Sequence, residues 1–179
     1  LLKETIALHV RVNMSKNNTK LTEDRSYFKP FDYPWAYEAW LKHEQAHWLH
    51  TEVPMAEDVK QWKKSLTAEE KTFLTNIFRF FTQGDIDVAG GYVNNYLPHF
   101  PQPEIRMMLM GFAAREALHI AAYSHLIETL GLPETTYNQF LEYQEMKDKH
   151  DYVLDISSKN GTVASVAEHI AVFSAFTEG

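Results

Sequence analysis

The 179-residue sequence has no cysteine, which excludes disulfides and thiolate metal ligands together. Any metal would have to be held by carboxylate and imidazole, a donor set that suits iron or manganese better than structural zinc. No apolar run approaches the roughly 20 residues that span a membrane, and no secretory leader is recognisable. A membrane partner is therefore not expected, and the cytoplasm is the default location. Net positive charge is lacking too. The formal charge is −7, and Lys and Arg are scattered apart from Lys63-Lys64, so nucleic acid is not an expected partner. No stretch reads as a strand, and there is neither an internal repeat nor a low-complexity tract. Leu1 stands where an initiator Met would, which reads as a trimmed or partial start.

What is present is a globular composition, 45% apolar and 13% aromatic, long enough for one domain with a real core. Met107 to Leu130 is an apolar run without Gly or Pro from Phe112 onward, and it reads as a long helix. At about 100° per residue, Glu116, His119 and Tyr123 fall on one face. Leu109, Phe112, Ala113, Ile120, Ile127 and Leu130 share that face, which predicts that it is buried. A carboxylate, an imidazole and a phenol taken out of water need partners. Metal is the partner that suits a Glu-x-x-His pair pointing into a helical bundle.

In chain order, residues 1–30 are polar and without a sustained period, and they read as an arm lying on the surface or on a partner. Residues 31–179 read as the bundle itself. A helix starts near Pro34 and runs to about His47, Trp48 closes it, and Thr51 to Asp58 reads as a connector. Thr67-Ala-Glu-Glu70 is a capping box opening the next helix. Leu74, Phe78, Phe81, Asp85, Val88 and Tyr92 form its apolar stripe, with Asp85 as the intruder and Asp87 about 200° away, toward solvent. Gly84 and Gly90-Gly91 loosen this helix beside Asp85. Pro98 to Pro103 is a turn into the central helix, which Gly131 caps. A polar helix is expected from about Glu134 to His150, and Asn160-Gly161 is a break. A last helix from Thr162 is predicted to bury Ala164, Glu168, Ala171, Val172, Ala175 and Phe176. The fold class that follows is all-α, long helices joined by short turns.

Three helices thus present acid to a core: Asp85, Glu116 with His119, and Glu168. Each uncompensated buried carboxylate would cost several kcal/mol, and divalent cations coordinating all of them would remove that cost. Dimetal bundles of the ferritin-like type use two helices giving one carboxylate each and two giving Glu-x-x-His. This chain offers carboxylate, Glu-x-x-His, carboxylate, and no second Glu-x-x-His in order. Glu44-Gln45-Ala46-His47 has the spacing, but Lys42, His43 and Gln45 make its surroundings polar, and it reads as a solvated face.

From about Trp48 to Phe176 the pattern resembles the radical-generating β subunit of class I ribonucleotide reductase. The resemblance rests on Trp48 followed by Glu52-Val53, on Gln83-Gly84-Asp85, on Arg115-Glu-Ala-Leu-His-Ile-Ala-Ala-Tyr123, and on Ala167-Glu168 with Phe176. It implies an incomplete ferritin-like helical bundle lacking the last metal-binding helices. It also implies a centre of two iron ions, manganese being an alternative, activated by dioxygen. Asp85, Glu116 and His119 would hold the first metal, with Glu116 bridging, and Glu168 would hold the second. Tyr123 would carry the radical and Trp48 would relay electrons. The implied partners are the large (α) subunit, a second copy in a homodimeric β core, and a complementary C-terminal β fragment supplying the second Glu-x-x-His.

Three departures accompany the resemblance. The second Glu-x-x-His and the acid linking it to Trp48 are absent, the docking tail is absent, and Val172 stands where many relatives have Phe. A natural split is the preferred expectation over a truncated chain. Two other functions remain open to the sequence: a ferritin-like ligand-binding dimetal oxidase, and a non-catalytic bundle with a vestigial site. By residue type alone Tyr123 is equally a core phenol bonded to a carboxylate, and Trp48 a packing aromatic.

Overall fold

A computed structural model describes residues 20–158 and 162–176. They form six α-helices: α1 Pro34–Gln45, α2 Ala56–Lys64, α3 Ala68–Gly90, α4 Pro103–Leu130, α5 Gln144–Ser158 and α6 Val163–Phe176. Short 3-10 turns join them, and no strand occurs among the described residues. No helix is long and apolar enough to cross a membrane. The all-α expectation holds.

Helix α4 is the axis of the molecule, and α1 and α3 both pack along it. Its 28 residues give a rod of about 42 Å at 1.5 Å per residue. Pro103 occupies its first position, where a missing N–H costs nothing, and Gly131 ends it with φ 76°. There the Gly131 N–H donates to the Glu128 carbonyl and the Leu132 N–H to that of Ile127, closing the helix as the sequence predicts. At the start of α3 the expected capping box is formed. The Glu70 N–H donates to Thr67 Oγ1 at 3.2 Å and the Thr67 N–H to Glu70 Oε2 at 2.8 Å. Past Gly90 the same rod continues as a π-helical turn, Gly91–Tyr96. Gly91 is needed here because a Cβ would lie 3.2 Å from the Phe173 ring of α6. Gly111 likewise lets Trp40 of α1 lie against α4, where a Cβ would come within 3.0 Å of its Cδ1.

The core joins α1, α3, the π-helical turn, α4 and α6 through residues such as Ala36, Val88, Tyr96, Leu109, Val166 and Phe173. On α6 the buried residues Val166, His169 and Phe173 recur at three and four. The sequence reading chose another face, and the structure corrects it: Ala164, Glu168, Ala171 and Ala175 are exposed. This helix is apolar nearly all round, so periodicity could not select the phase. Burying Val, Ile and Phe in place of alanines removes more apolar surface from water.

Two further local readings are corrected. A helix, α2, begins inside the expected connector at Ala56 and runs on to Lys64, with Glu57 and Asp58 in its first turn and Lys63 and Lys64 in its last, charges that suit the helix dipole. The helix expected from Glu134 instead begins at Gln144, after two 3-10 turns that bury Thr136 and Phe140. The expected break at Asn160-Gly161 and residues 1–19 of the expected arm lie outside the described residues.

The rest of that arm is pinned to the first turn of α4. Glu104 is fully buried and Arg25 nearly so. Arg25 Nη2 donates to Glu104 Oε2 at 3.1 Å and Nη1 to Oε1 at 3.3 Å. The backbone N–H groups of Asp32 and Tyr33 also donate to Oε1, at 2.9 and 3.0 Å. Glu104 thus ties residues 25–33 to α4.

Two outcomes are expected. Glu104→Ala leaves the buried Arg25 with the part-exposed Asp32 carboxylate, 3.1 Å away, in place of its buried partner and should lower unfolding free energy by about 3 kcal/mol in denaturant titration. Tyr96 is 4% exposed, and burial pushes its phenol up to about 12. The folded form therefore holds a proton between pH 10 and 12 that the unfolded form releases. Stability should fall through that window by up to about 1.4 kcal/mol per pH unit, and Tyr96→Phe should flatten this part of the pH–stability curve.

Candidate metal centre

Helices α3 and α4 lie side by side, and three of their side chains converge. One ligand atom each from Asp85, Glu116 and His119 lies within 4.8 Å of the others. Glu116 is 6% exposed. Its Oε2 is 3.1 Å from His119 Nδ1, the i,i+3 contact that helical spacing predicts. Two carboxylates this close repel each other unless a cation or a proton lies between them. The donor set, two hard oxygens and one borderline nitrogen, fits a divalent iron or manganese ion. These residues could therefore hold one metal.

Tyr123 stands one turn after His119, and its ring stacks on Phe81 of α3 with centroids 5.3 Å apart and planes 1° from parallel. Burial, and next the Asp85 charge, raise its pKa above the ordinary phenol value. On the other side of the cluster Trp48 stacks on the His119 ring at 6.3 Å. Just beyond it the Leu49 N–H donates to Glu52 Oε2, fixing the 50–52 turn. Below the cluster, Arg115 reaches α1, donating to the His43 carbonyl at 2.9 Å. Burial, then the Arg115 cation, lowers the His43 pKa. Trp48, Asp85, Glu116, His119 and Tyr123 all line one cavity of about 430 Å³.

Glu168 does not join them. It is exposed on α6, and the register of that helix explains why. Phe173 packs on Gly91, Tyr92 and Tyr96, while the His169 carbonyl accepts from Tyr96 Oη. Helix α6 therefore runs antiparallel to α3, with residue 173 opposite about 92 and residue 168 opposite about 97. That places Glu168 roughly 18 Å along the axis from Asp85 at 1.5 Å per residue. The role of second-metal ligand read for Glu168 is thus corrected. The Glu44 and His47 side chains are exposed, as their polar setting predicts.

Sequence reasoning missed a polar pair in the same cavity. Asp87 does not face open water: Oδ2 lies 2.6 Å from His150 Nδ1, and Oδ1 accepts from Gln83 Nε2 at 3.1 Å. Nothing in the local pattern of α3 points to this, because the partner arrives 63 residues later on α5. The cavity's remaining wall includes Phe140 and Met146.

A family model described as ribonucleotide reductase, small chain, matches residues 25–179. The chain belongs to this family. It is 52% identical to a probable ribonucleoside-diphosphate reductase small subunit, 376L, of Invertebrate iridescent virus 6, over 89% of this chain and 48% of the relative. It is 31% identical to the ribonucleoside-diphosphate reductase subunit beta of Chlamydia pneumoniae, over 79% of this chain and 43% of that one. Among solved structures it resembles the ribonucleotide reductase R2 subunit from Clostridium botulinum with a TM-score of 0.73 at 21% identity, covering 83% of this chain and 48% of the other. The family fold is the ferritin-like helical one expected from the sequence. The small-chain homologue spans about half the length of these relatives.

Metal titration under argon, with ferrous or manganous ion, is expected to give saturable uptake by the chain. Glu116→Ala and Asp85→Ala should weaken it by more than about 100-fold. Glu168→Ala should leave it unchanged in the same calorimetric measurement.

Proposed function

We propose that this chain is the N-terminal part of a ribonucleotide reductase small subunit that stores an oxidising equivalent as a radical on Tyr123. The single observation that carries the reading is the convergence of Asp85, Glu116 and His119 within 4.8 Å in the cavity that Tyr123 and Trp48 also line. In this reading Asp85, Glu116 and His119 would hold the first of two iron or manganese ions. When bound, such a reduced metal pair supplies one-electron oxidising power by reacting with dioxygen.

The remaining roles belong to the chain's own residues. Tyr123 gives up an electron and its phenolic proton, and its stacking on Phe81 shields the resulting neutral radical from water. The raised pKa of its phenol disfavours a free phenolate, so electron and proton must leave together. Trp48, stacked on the His119 ligand, is positioned to pass electrons between the cluster and the large subunit. Deoxyribonucleotide synthesis would then take place on that subunit.

The second metal needs ligands beyond the three side chains that converge. We assign the missing ligands, the second Glu-x-x-His among them, to a complementary C-terminal β fragment. A homodimeric β core and docking to the α subunit complete the proposed assembly.

The test is reconstitution of the chain with its complementary half, ferrous iron and oxygen. A tyrosyl signal in electron paramagnetic resonance is expected, and Tyr123→Phe should abolish it. Trp48→Phe should retain the radical once formed yet lower nucleotide reduction by at least about 100-fold. A full radical signal in Tyr123→Phe would refute the assignment.

A further inference from the structure

The chain leaving α1 runs along one ridge of α4. Phe112, Arg115 and His119 recur at three and four on α4, so they form one row on its surface. The His43 ring meets Phe112 edge-on at 5.0 Å. Arg115 Nη2 donates to the His43 carbonyl at 2.9 Å, and its Nε to His43 Nε2 at 3.3 Å. Five residues after His43, Trp48 stacks on His119 at 6.3 Å. The row and the segment therefore advance together: Phe112 and Arg115 take position 43, and His119 takes position 48.

Arg115 is the permanently charged member of this row, and the end of α1 suits it. The last carbonyls of a helix have no partner within it and carry the negative end of its dipole. Here the Ala46 N–H is shared between the Lys42 and His43 carbonyls, and the His43 oxygen has a second lone pair for the guanidinium. The planar fork of the same guanidinium reaches the ring as well. For that bond His43 Nε2 must be an acceptor, which requires a neutral ring. Burial, then the Arg115 cation, lowers the His43 pKa and favours that form, and the ring is also hydrogen-bonded to the Gly111 backbone. A two-point grip fixes orientation as well as distance.

We propose that Arg115 is a positioning residue: by gripping His43 at the end of α1, it sets the distance and tilt at which Trp48 lies on His119. Only Glu44 to His47 separate the grip from the indole, so a shift of α1 at His43 passes to Trp48 over one short segment. The functional consequence rests on the reading of Trp48 as the electron relay; the geometric part stands without it. Beyond Trp48 the segment has anchors of its own. The Leu49 N–H donates to Glu52 Oε2 at 3.0 Å, and the His50 ring meets that of His125 at 5.6 Å. If those anchors alone placed the indole, Arg115 would be a fastener of α1 and nothing more.

Fluorine resonances of 5-fluorotryptophan report the four tryptophans of the metal-free chain separately, and Trp48→Phe identifies the one from Trp48. Arg115→Gln is expected to move the Trp48 resonance toward its value in the unfolded chain and to leave that of Trp62 in α2 unchanged. Arg115→Lys, which keeps the charge and loses the fork, should move it less. Uptake of manganous ion should be the same in all three chains. After reconstitution with the complementary half, iron and oxygen, Arg115→Gln should keep the tyrosyl signal. It should lower nucleotide reduction by about tenfold or more, since a misplacement of about 1 Å costs up to about 100-fold. Circular dichroism identifies a variant that has lost its fold, in which case Arg115→Lys and His43→Gln decide. An unmoved Trp48 resonance in the folded variants overturns the proposal. So does a loss of metal uptake, which would place the action of Arg115 on Glu116 instead. If Trp48→Phe leaves nucleotide reduction unchanged, the relay reading fails, a result separate from the resonance shift.

Discussion

Placing two carboxylates and an imidazole within 4.8 Å of one another is electrostatically unfavourable unless something cationic is shared among them. The rest of the structure serves to impose that proximity. A Glu-x-x-His pair on α4 fixes two of the three groups by helical spacing alone, so the imposed element is the approach of Asp85 on α3. That approach depends on two long helices packing side by side, and on glycines that admit their neighbours. Gly91 admits the Phe173 ring of α6 and Gly111 admits Trp40 of α1. Anchors at both ends hold the axis helix in place: Gly131 as its left-handed cap and Glu104 buried beneath Arg25 at its start.

The same packing sets the chemistry of what surrounds the cluster. Tyr123 gains its raised pKa from burial and from Asp85, so the charge that draws a cation also makes the phenol reluctant to ionise alone. Trp48, in the segment between α1 and the 3-10 turn His50–Glu52, stacks on the His119 ring. The reductase small-chain family assignment accords with this architecture. The chain spans about half the length of its relatives, and three candidate ligand side chains come together among its described residues.

Much of this was legible in the sequence. Spacing placed Glu116, His119 and Tyr123 on one face, the Thr67–Glu70 box located the start of α3, and the apolar stripe through Val88 picked out Asp85. Each is a local, periodic signal, and local signals survive folding because a helix is the same object in every context. The errors fell where the helix itself gave no preference. On α6 two faces are apolar, and burial of Val166 and Phe173 turned Glu168 to solvent. On α3 Asp87 stands off the stripe, yet α5 covers it.

The sequence by itself determined the helical class, the central α4 and the Glu116–His119 pair, because these follow from the repeat of a single helix. Only the tertiary structure decided which further acid meets them, that His150 meets Asp87, and that Glu104 is the buried partner of Arg25. Those contacts join residues 63 and 79 positions apart. No helical period links such positions; the angles and registers at which helices pack do.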